Sequence, residues 1–334
     1  MIKFAYKHKS MKTVAVLAGG DSSESGISVK SGHEVCKELS SGFRVYLIMI
    51  KGTNWYWEDL KGRYHSIDKN NFTLMVDDTR IIFDAVFIAI HGTPGENGLL
   101  QGYFEMVKIP YSGCDAFCSA LTFNKKACKL YLKEYNIAMA ADVVVRKNNP
   151  FDPAEIISRT GLPCFVKPNS SGSSFGVTKV KRKEDLLQAM KAAFNESDEI
   201  MIEELMSGRE VACGVVKTKS RTLILPVTEI ISKNEFFDYE AKYTPGKSDE
   251  VTPAEMPATI TGEIQRLSSR IYDLLGCKGI VRVDFIVRDE KPYFLEVNSI
   301  PGMTEESIIP RQARAAGLEL KDLYSMVVDD VLTD

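Results

Sequence analysis

The strongest chemical pattern in the chain lies near its C-terminus. In Val281-Arg282-Val283-Asp284-Phe285 the period of two places Arg282 and Asp284 on one face of a strand and the apolar residues on the other. In Phe294-Leu295-Glu296-Val297-Asn298 the same rule puts Glu296 and Asn298 together. A tight turn around Asp289-Glu290-Lys291 is expected to fold one strand onto the other and merge the polar faces. Asp284, Glu296 and Asn298 then form a set of hard oxygen ligands with no lysine among them, suited to Mg²⁺ that also takes phosphate oxygens. On the residues alone, a cross-strand pair of Arg282 with Glu296 on a solvated face is the alternative. Ser299-Ile300-Pro301-Gly302-Met303-Thr304 follows at once, a turn able to aim backbone N–H groups at an oxyanion.

Three further constellations carry chemistry. Lys167 ends an apolar strand and precedes the small-residue run Pro168-Asn169-Ser170-Ser171-Gly172-Ser173-Ser174-Phe175-Gly176, a loop able to lie over a triphosphate. Lys125 can supply a second positive charge, although either lysine alone also suits a solvated surface. His91-Gly92-Thr93-Pro94-Gly95-Glu96-Asn97-Gly98 follows a strand, where a parallel sheet places ligands; the alternative is a lone histidine satisfied in the core. Glu24 lies in the loop after the first strand, where a helix dipole also favours a carboxylate. Other motifs fail. No GxxxxGK[ST] and no GxGxxG occurs. Gly172–Gly176 spells GxSxG, but a strand rather than a helix is predicted next, and all four histidines (His8, His33, His65, His91) lie upstream.

The elements that must position these residues alternate. Lys12–Ala18, Arg44–Ile50 and Ile81–Ile90 read as strands, Ile27–Leu39 and Gly98–Val107 as helices, and Trp55–Tyr64 as a turn or hairpin. That order predicts a doubly wound parallel sheet. A lysine-rich helix is predicted over Ser119–Tyr135. Short β-branched strands follow (Ala141–Arg146, Cys164–Lys167, Val177–Val180, Glu199–Glu204, Glu210–Lys217, Thr222–Ile231), with helices at Pro153–Thr160 and Lys183–Phe194, an α+β middle. Phe236–Thr252 reads as a mobile loop. Helix Ile260–Leu275, strands Gly279–Val287 and Pro292–Val297, and helices starting near Glu305 and Leu320 close the chain.

The bulk properties are those of a globular enzyme. The chain has 334 residues, 44% hydrophobic and 26% charged, with net charge −3, which gives no electrostatic footprint for nucleic acid or an anionic membrane. No apolar run approaches the about 20 residues that span a bilayer. Met1–Ser10 is short and basic and lacks the apolar core of a secretory signal. The seven cysteines form no CxxC pair and read as reduced core residues of a cytosolic protein.

In register, the strings GGDSSE (19–24), HGTPGENGLLQG (91–102), PYSG (110–113), VKPNSSGSSFGV (166–177), DYEAKY (238–243), GCKGIVRVD (276–284) and LEVNSIPGMT (295–304) resemble the D-alanine–D-alanine ligases of the ATP-grasp superfamily. The resemblance runs from about residue 12 to the C-terminus. It implies an ATP-grasp fold, α/β and α+β, with an N-terminal parallel-sheet domain over 1–113, a central subdomain over 114–204 and a C-terminal subdomain over 205–334. It also implies a cytoplasmic homodimer that feeds peptidoglycan synthesis, with ATP and D-alanine as substrates and two Mg²⁺ (or Mn²⁺) ions.

The same resemblance assigns roles. Lys125, Lys167 and Lys242 meet the phosphates, Glu203, Glu204 and Met206 lie along the adenine, and Glu210 reaches the ribose. Asp284, Glu296 and Asn298 hold the metals. Glu24 anchors the first substrate's ammonium and is linked to Ser173 and Tyr243. His91 lies beside that substrate, Arg282 and the Gly302 N–H face the oxyanion, and Ser307 with the Ile308 N–H takes the second carboxylate. Tyr243 favours a dipeptide over the ester D-alanyl-D-lactate, and D-alanyl-D-serine and D-alanyl-D-lactate are the alternative products. A non-catalytic nucleotide-binding regulator would have lost part of the Arg282, Asp284, Glu296, Asn298 set. Ser25-Gly26, Asn124 and Asn298-Ser299 depart from the commonest family strings, which leaves local contacts around the first two undetermined.

Overall fold

The computed structural model describes residues 11–170, 176–232 and 248–333. At its start, strand Thr13–Gly19 is buried along its whole length and pairs in parallel with Arg44–Lys51 on one side and Ala85–Ile88 on the other. Burial on both faces explains its unbroken apolar sequence. The expected parallel sheet is confined to these three strands. Asn54–Glu58, Tyr64–Asp68, Thr73–Val76 and Thr79–Ile82 extend it as an antiparallel meander, so the sheet is mixed. The single strand predicted over Ile81–Ile90 is therefore two. Asp84 interrupts it: its carboxylate accepts from the Thr13 N–H (2.8 Å) and Lys12 Nζ (2.6 Å), and its own N–H donates to the Thr13 carbonyl. Loops at the carboxyl ends of the parallel strands carry Gly20–Glu24 and His91–Gly98, leading into helices Ser25–Leu39 and Leu99–Val107.

The predicted helix Ser119–Tyr135 is also two, Ala116–Phe123 and Lys125–Lys133, broken at an extended Asn124. The Asn124 side chain accepts the Ala127 N–H (2.9 Å), a cap that starts the second helix one residue later and puts Lys125 at its first position. Asn169, fully buried, fastens this break to the central sheet. Its carbonyl and side-chain oxygens accept the Lys125 and Lys126 N–H groups, and its amide donates to Asn124 Oδ1.

The central sheet runs, by strand, Thr178–Val180, Cys164–Pro168, Glu199–Glu204, Asp142–Arg146, all antiparallel, under helices Pro153–Thr160 and Leu186–Ala193. The third sheet runs Ser248–Val251, Thr228–Ser232, Arg209–Lys217, Gly279–Arg288, Lys291–Asn298, with Thr222–Ile224 beside Arg209–Lys217. Part of the predicted mobile loop is thus an edge strand; residues 236–247 lie outside the described ones. Helix Ala258–Leu274 and both helices of 116–133 pack on this third sheet. Helix Leu320–Leu332 returns to pack on Ser25–Leu39 and the parallel strands, so the C-terminus closes against the N-terminal sheet. Among the described residues, no helix is long and apolar enough to cross a membrane.

The C-terminal hairpin differs from expectation in one respect that matters. Its turn has two residues, Asp289 and Glu290, both at positive φ (50° and 61°), between the paired Arg288 and Lys291. Carried along unbroken, that register would set Val283 against Glu296 and send Asp284 and Glu296 to opposite faces. A β-bulge intervenes: Phe285 pairs with Phe294, the next pair is Asp284 with Glu296, and Leu295 is left over. Arg282 then faces Asn298. The bulge, rather than the turn, merges the two polar faces.

Candidate active site

Arg282, Asp284, Glu296 and Asn298 converge on one face of the bulged hairpin. Arg282 grips Asp284 with both arms, Nε to Oδ1 at 2.8 Å and Nη2 to Oδ2 at 2.7 Å, and Asn298 Nδ2 donates to the same Oδ2 at 2.9 Å. Glu296 does not pair with Arg282 across the strands; it meets Lys125 Nζ at 3.1 Å. Asp284 is 3% exposed. Burial alone would lower the Arg282 pKa, but Asp284, with Glu296 and Glu250, raises it, so the guanidinium is a permanent cation here. The donor set for a divalent ion is two carboxylates at one register position and an amide beside them, all hard ligands. These residues fit Mg²⁺ or Mn²⁺.

The lysines approach from the central sheet and its neighbouring helix. Lys167 Nζ is 2.5 Å from Glu203 Oε2, and Lys129 Nζ is 2.6 Å from Glu203 Oε1. Burial would raise the Glu203 pKa, yet Lys167 and Lys129 pull it down to about 2. Lys167 is in turn raised, because Glu203, then Glu296 and Asp142, outweigh burial. Glu296 is thus the common neighbour of Lys125 and Lys167. Glu204 accepts from Arg288 Nη1 (3.3 Å), a contact between the central sheet and the hairpin. Met206 lies in the segment that joins Glu199–Glu204 to Arg209–Lys217, and Glu210 pairs in register with Ile230 and Ile286.

The N-terminal loops come to the same place. His91 is buried; its Nδ1 lies 2.9 Å from the Ile300 carbonyl and its Nε2 3.0 Å from Ser31 Oγ. A carbonyl only accepts, so Nδ1 carries the proton and Nε2 accepts from the Ser31 hydroxyl, which itself accepts the Met303 N–H (3.2 Å). Burial lowers the His91 pKa against the opposing pull of Glu24, keeping the imidazole neutral. Glu24 is buried at the start of helix Ser25–Leu39, and its carbonyl accepts the Ile27 and Ser28 N–H groups. The loops interlock: Ser22 Oγ donates to the His91 carbonyl, and Gly92, at φ +69°, sits so close that a Cβ there would fall 2.7 Å from Ser22. Gly302 lies against Ser307, whose Oγ would be 2.8 Å from an added Cβ. Ser307 is the N-cap of helix Ile308–Ala315, whose first N–H groups, Ile308 among them, have no helical carbonyl to meet. Ser173, Lys242 and Tyr243 lie outside the described residues.

Models of the D-ala D-ala ligase N-terminus and C-terminus match residues 13–114 and 128–329. A D-alanine–D-alanine ligase of Phocaeicola vulgatus is 46% identical over 321 residues, 96% of this chain and 99% of that protein. The chain belongs to the D-alanine–D-alanine ligase family. Solved structures agree: D-alanyl-alanine synthetase A of Vibrio cholerae superposes with TM-score 0.87 at 29% identity, covering 97% of this chain and 99% of that one. A Bacillus anthracis D-alanine–D-alanine ligase complexed with ATP superposes with TM-score 0.78 at 28% identity, covering 96% and 98%. The ATP-grasp ligase expected from the seven strings is therefore the family and fold found.

Sequence reasoning missed several groups in this ligase fold. Glu96 is buried, accepts the Gly92 N–H at 2.7 Å, and is pushed up to about 8 by burial and by neighbouring Glu24. Its place five residues after His91 in the same string was the available signal. Glu250 is partly buried near Arg282 and 3.7 Å from Arg311 Nη1, and its loss of solvent raises its pKa. Lys129 and Ser31, which hold Glu203 and His91, carry no motif of their own and read as ordinary helix residues.

Proposed function

We propose that this member of the ligase family joins two D-alanines through a D-alanyl phosphate formed with ATP, using the residues the hairpin and loops bring together. A carboxylate is a poor electrophile, so it must first be activated by phosphorylation. Glu24 anchors the ammonium of the first D-alanine, with neutral His91 beside it. Lys125 and Lys167 draw charge from the phosphates, Lys167 being held in place by Glu203. Glu204, Met206 and the backbone at Glu203 line the adenine, and Glu210 takes the ribose. Asp284, Glu296 and Asn298 would hold two Mg²⁺ (or Mn²⁺) ions, which when bound neutralise phosphate charge. The second D-alanine's carboxylate docks at Ser307 and the Ile308 N–H, where a helix N-terminus favours an anion. Its amine attacks the acyl carbon, Arg282 and the Gly302 N–H take the developing oxyanion, and phosphate leaves.

The reading rests above all on the convergence of Arg282, Asp284, Glu296 and Asn298 on one face, with Lys125 on Glu296. By the same family resemblance Lys242 would join Lys125 and Lys167 at the phosphates, and Ser173 and Tyr243 would link to Glu24. A division at 1–113, 114–204 and 205–334 places each of the three sheets within one unit. A cytoplasmic homodimer is the family-level part of the same reading. The test is a coupled ADP-release assay with and without D-alanine, with the product identified by mass across a panel of D- and L-amino acids. ADP release that ignores D-alanine, or a product other than D-alanyl-D-alanine, overturns it.

A further inference from the structure

Away from the catalytic face, three thiols meet. Cys114 ends the segment that leaves the N-terminal sheet. Cys118 lies in the first turn of helix Ala116–Phe123, its N–H held by the Asp115 side chain at 2.9 Å. Cys277 sits between helix Ala258–Leu274 and strand Gly279–Arg288. Their sulfur atoms all lie within 4.8 Å of one another, with Cys118 and Cys277 at 3.7 Å. Exposures are 2%, 1% and 7%, and the surroundings are apolar: Val281 and Leu275 belong to the same core cluster.

A core cysteine used as a small hydrophobe has no reason to face another. Cys128, Cys164 and Cys213 are also buried and free, yet none of them belongs to this triangle. A bound ion with metal–sulfur distances of about 2.3 Å requires sulfur separations of roughly 3.8–4.0 Å, so the observed triangle needs only small adjustments. An all-sulfur set rejects hard ions such as Mg²⁺ and selects Zn²⁺ or Cu⁺.

We propose that Cys114, Cys118 and Cys277 form a thiolate site for one thiophilic metal ion, Zn²⁺ or Cu⁺, separate from the ATP and magnesium face. The ion ties the exit of the N-terminal sheet to the base of the strand that carries Arg282 and Asp284. Binding displaces the thiol protons to solvent, so affinity rises with pH.

The test uses the full chain, reduced, stripped with chelator and kept anaerobic, with excess Mg²⁺ present to fill oxygen sites. Co²⁺ serves as the Zn²⁺ probe, and Cu⁺ is delivered from a competing chelator in a second arm. One Co²⁺ per chain with a thiolate-to-metal charge-transfer band, displaced by Zn²⁺, or one Cu⁺ retained against the chelator, is the expected result. The signal should vanish in Cys118→Ser and in Cys277→Ser and persist in Cys213→Ser, with far-UV circular dichroism confirming that each variant is folded. As a measurement on the unmutated chain, Zn²⁺ or Cu⁺ should protect three thiols from alkylation. Absence of both signals, a signal that survives Cys118→Ser and Cys277→Ser, or no thiol protection overturns the site.

Discussion

Arg282 and Asp284, two residues apart on one strand, are joined by a pair of hydrogen bonds at 2.8 and 2.7 Å in which both guanidinium arms meet both carboxylate oxygens. That fork fixes the guanidinium and leaves its other N–H donors for the oxyanion proposed above. A lysine keeps the charge but cannot form the fork. Arg282→Lys should lower kcat by about 10²–10³-fold, the usual loss when an oxyanion donor is removed. KM for ATP should change far less. Steady-state ADP release at varied ATP and D-alanine checks this; a loss confined to KM for ATP contradicts the oxyanion role.

Glu296 stands opposite Asp284 and touches Lys125. Its removal takes away an expected metal ligand and leaves a half-buried lysine without that carboxylate. Glu296→Ala should abolish D-alanine-dependent turnover and abolish its response to Mg²⁺, while the thermal midpoint moves little. Near-normal activity at ordinary Mg²⁺ refutes the metal assignment.

Glu96 supplies a pH signature of known sign. Its folded pKa is raised to about 8 from 4.5, so the folded chain holds a proton that the unfolded chain releases. Stability from this group is complete below about pH 4.5 and is lost as pH rises toward 8. His91 acts in the opposite sense. Its folded pKa lies below 6.5, so the unfolded chain takes the proton first and stability falls as pH drops below 6.5. Glu96→Gln keeps an oxygen for the Gly92 N–H and removes the titration. Denaturant unfolding should show the variant gaining on the parent between pH 5 and 8, by on the order of 1 kcal/mol per pH unit. A constant difference across that range contradicts the buried neutral carboxyl.

Most of this site is legible in the sequence because the chemistry sits in short strings with fixed local periodicity. Arg282 with Asp284, and Glu296 with Asn298, follow from the alternation of a strand. Their mutual alignment does not: it depends on a bulge at Leu295, which local pattern cannot reveal because the two-residue turn and the bulge shift register by compensating steps. The break at Asn124 is hidden for a similar reason. Ala116–Phe123 and Lys125–Lys133 both have helical spacing, and the cap that separates them is stabilised from outside by Asn169. Asp84 splits an apolar run through contacts with Lys12 and Thr13, more than 70 residues away in sequence. Glu250 and Ser31 join the site only through tertiary packing.

Glu203 offers the sharpest separation of positioning from charge. Its carboxylate, 4% exposed, lies between Lys129 at 2.6 Å and Lys167 at 2.5 Å. Glu203→Gln keeps the shape and removes the charge, leaving Lys129 with Asp142 at 3.1 Å and Lys167 with the more distant Glu296 and Asp142. Breaking a buried ion pair in this way costs about 3–5 kcal/mol. The pH dependence has a definite direction. The folded pKa is lowered from 4.5 to about 2, so the stabilisation is present above pH 4.5 and disappears as pH falls toward 2. The variant should therefore be markedly less stable than the parent at pH 7 and should approach it near pH 3 in denaturant unfolding. At a temperature where both are folded, KM for ATP should rise more than kcat falls, because Lys167 loses the group that aims it. Equal stability at pH 7, or a kcat loss with unchanged KM for ATP, shows that Glu203 does not hold Lys167 in the way the geometry requires.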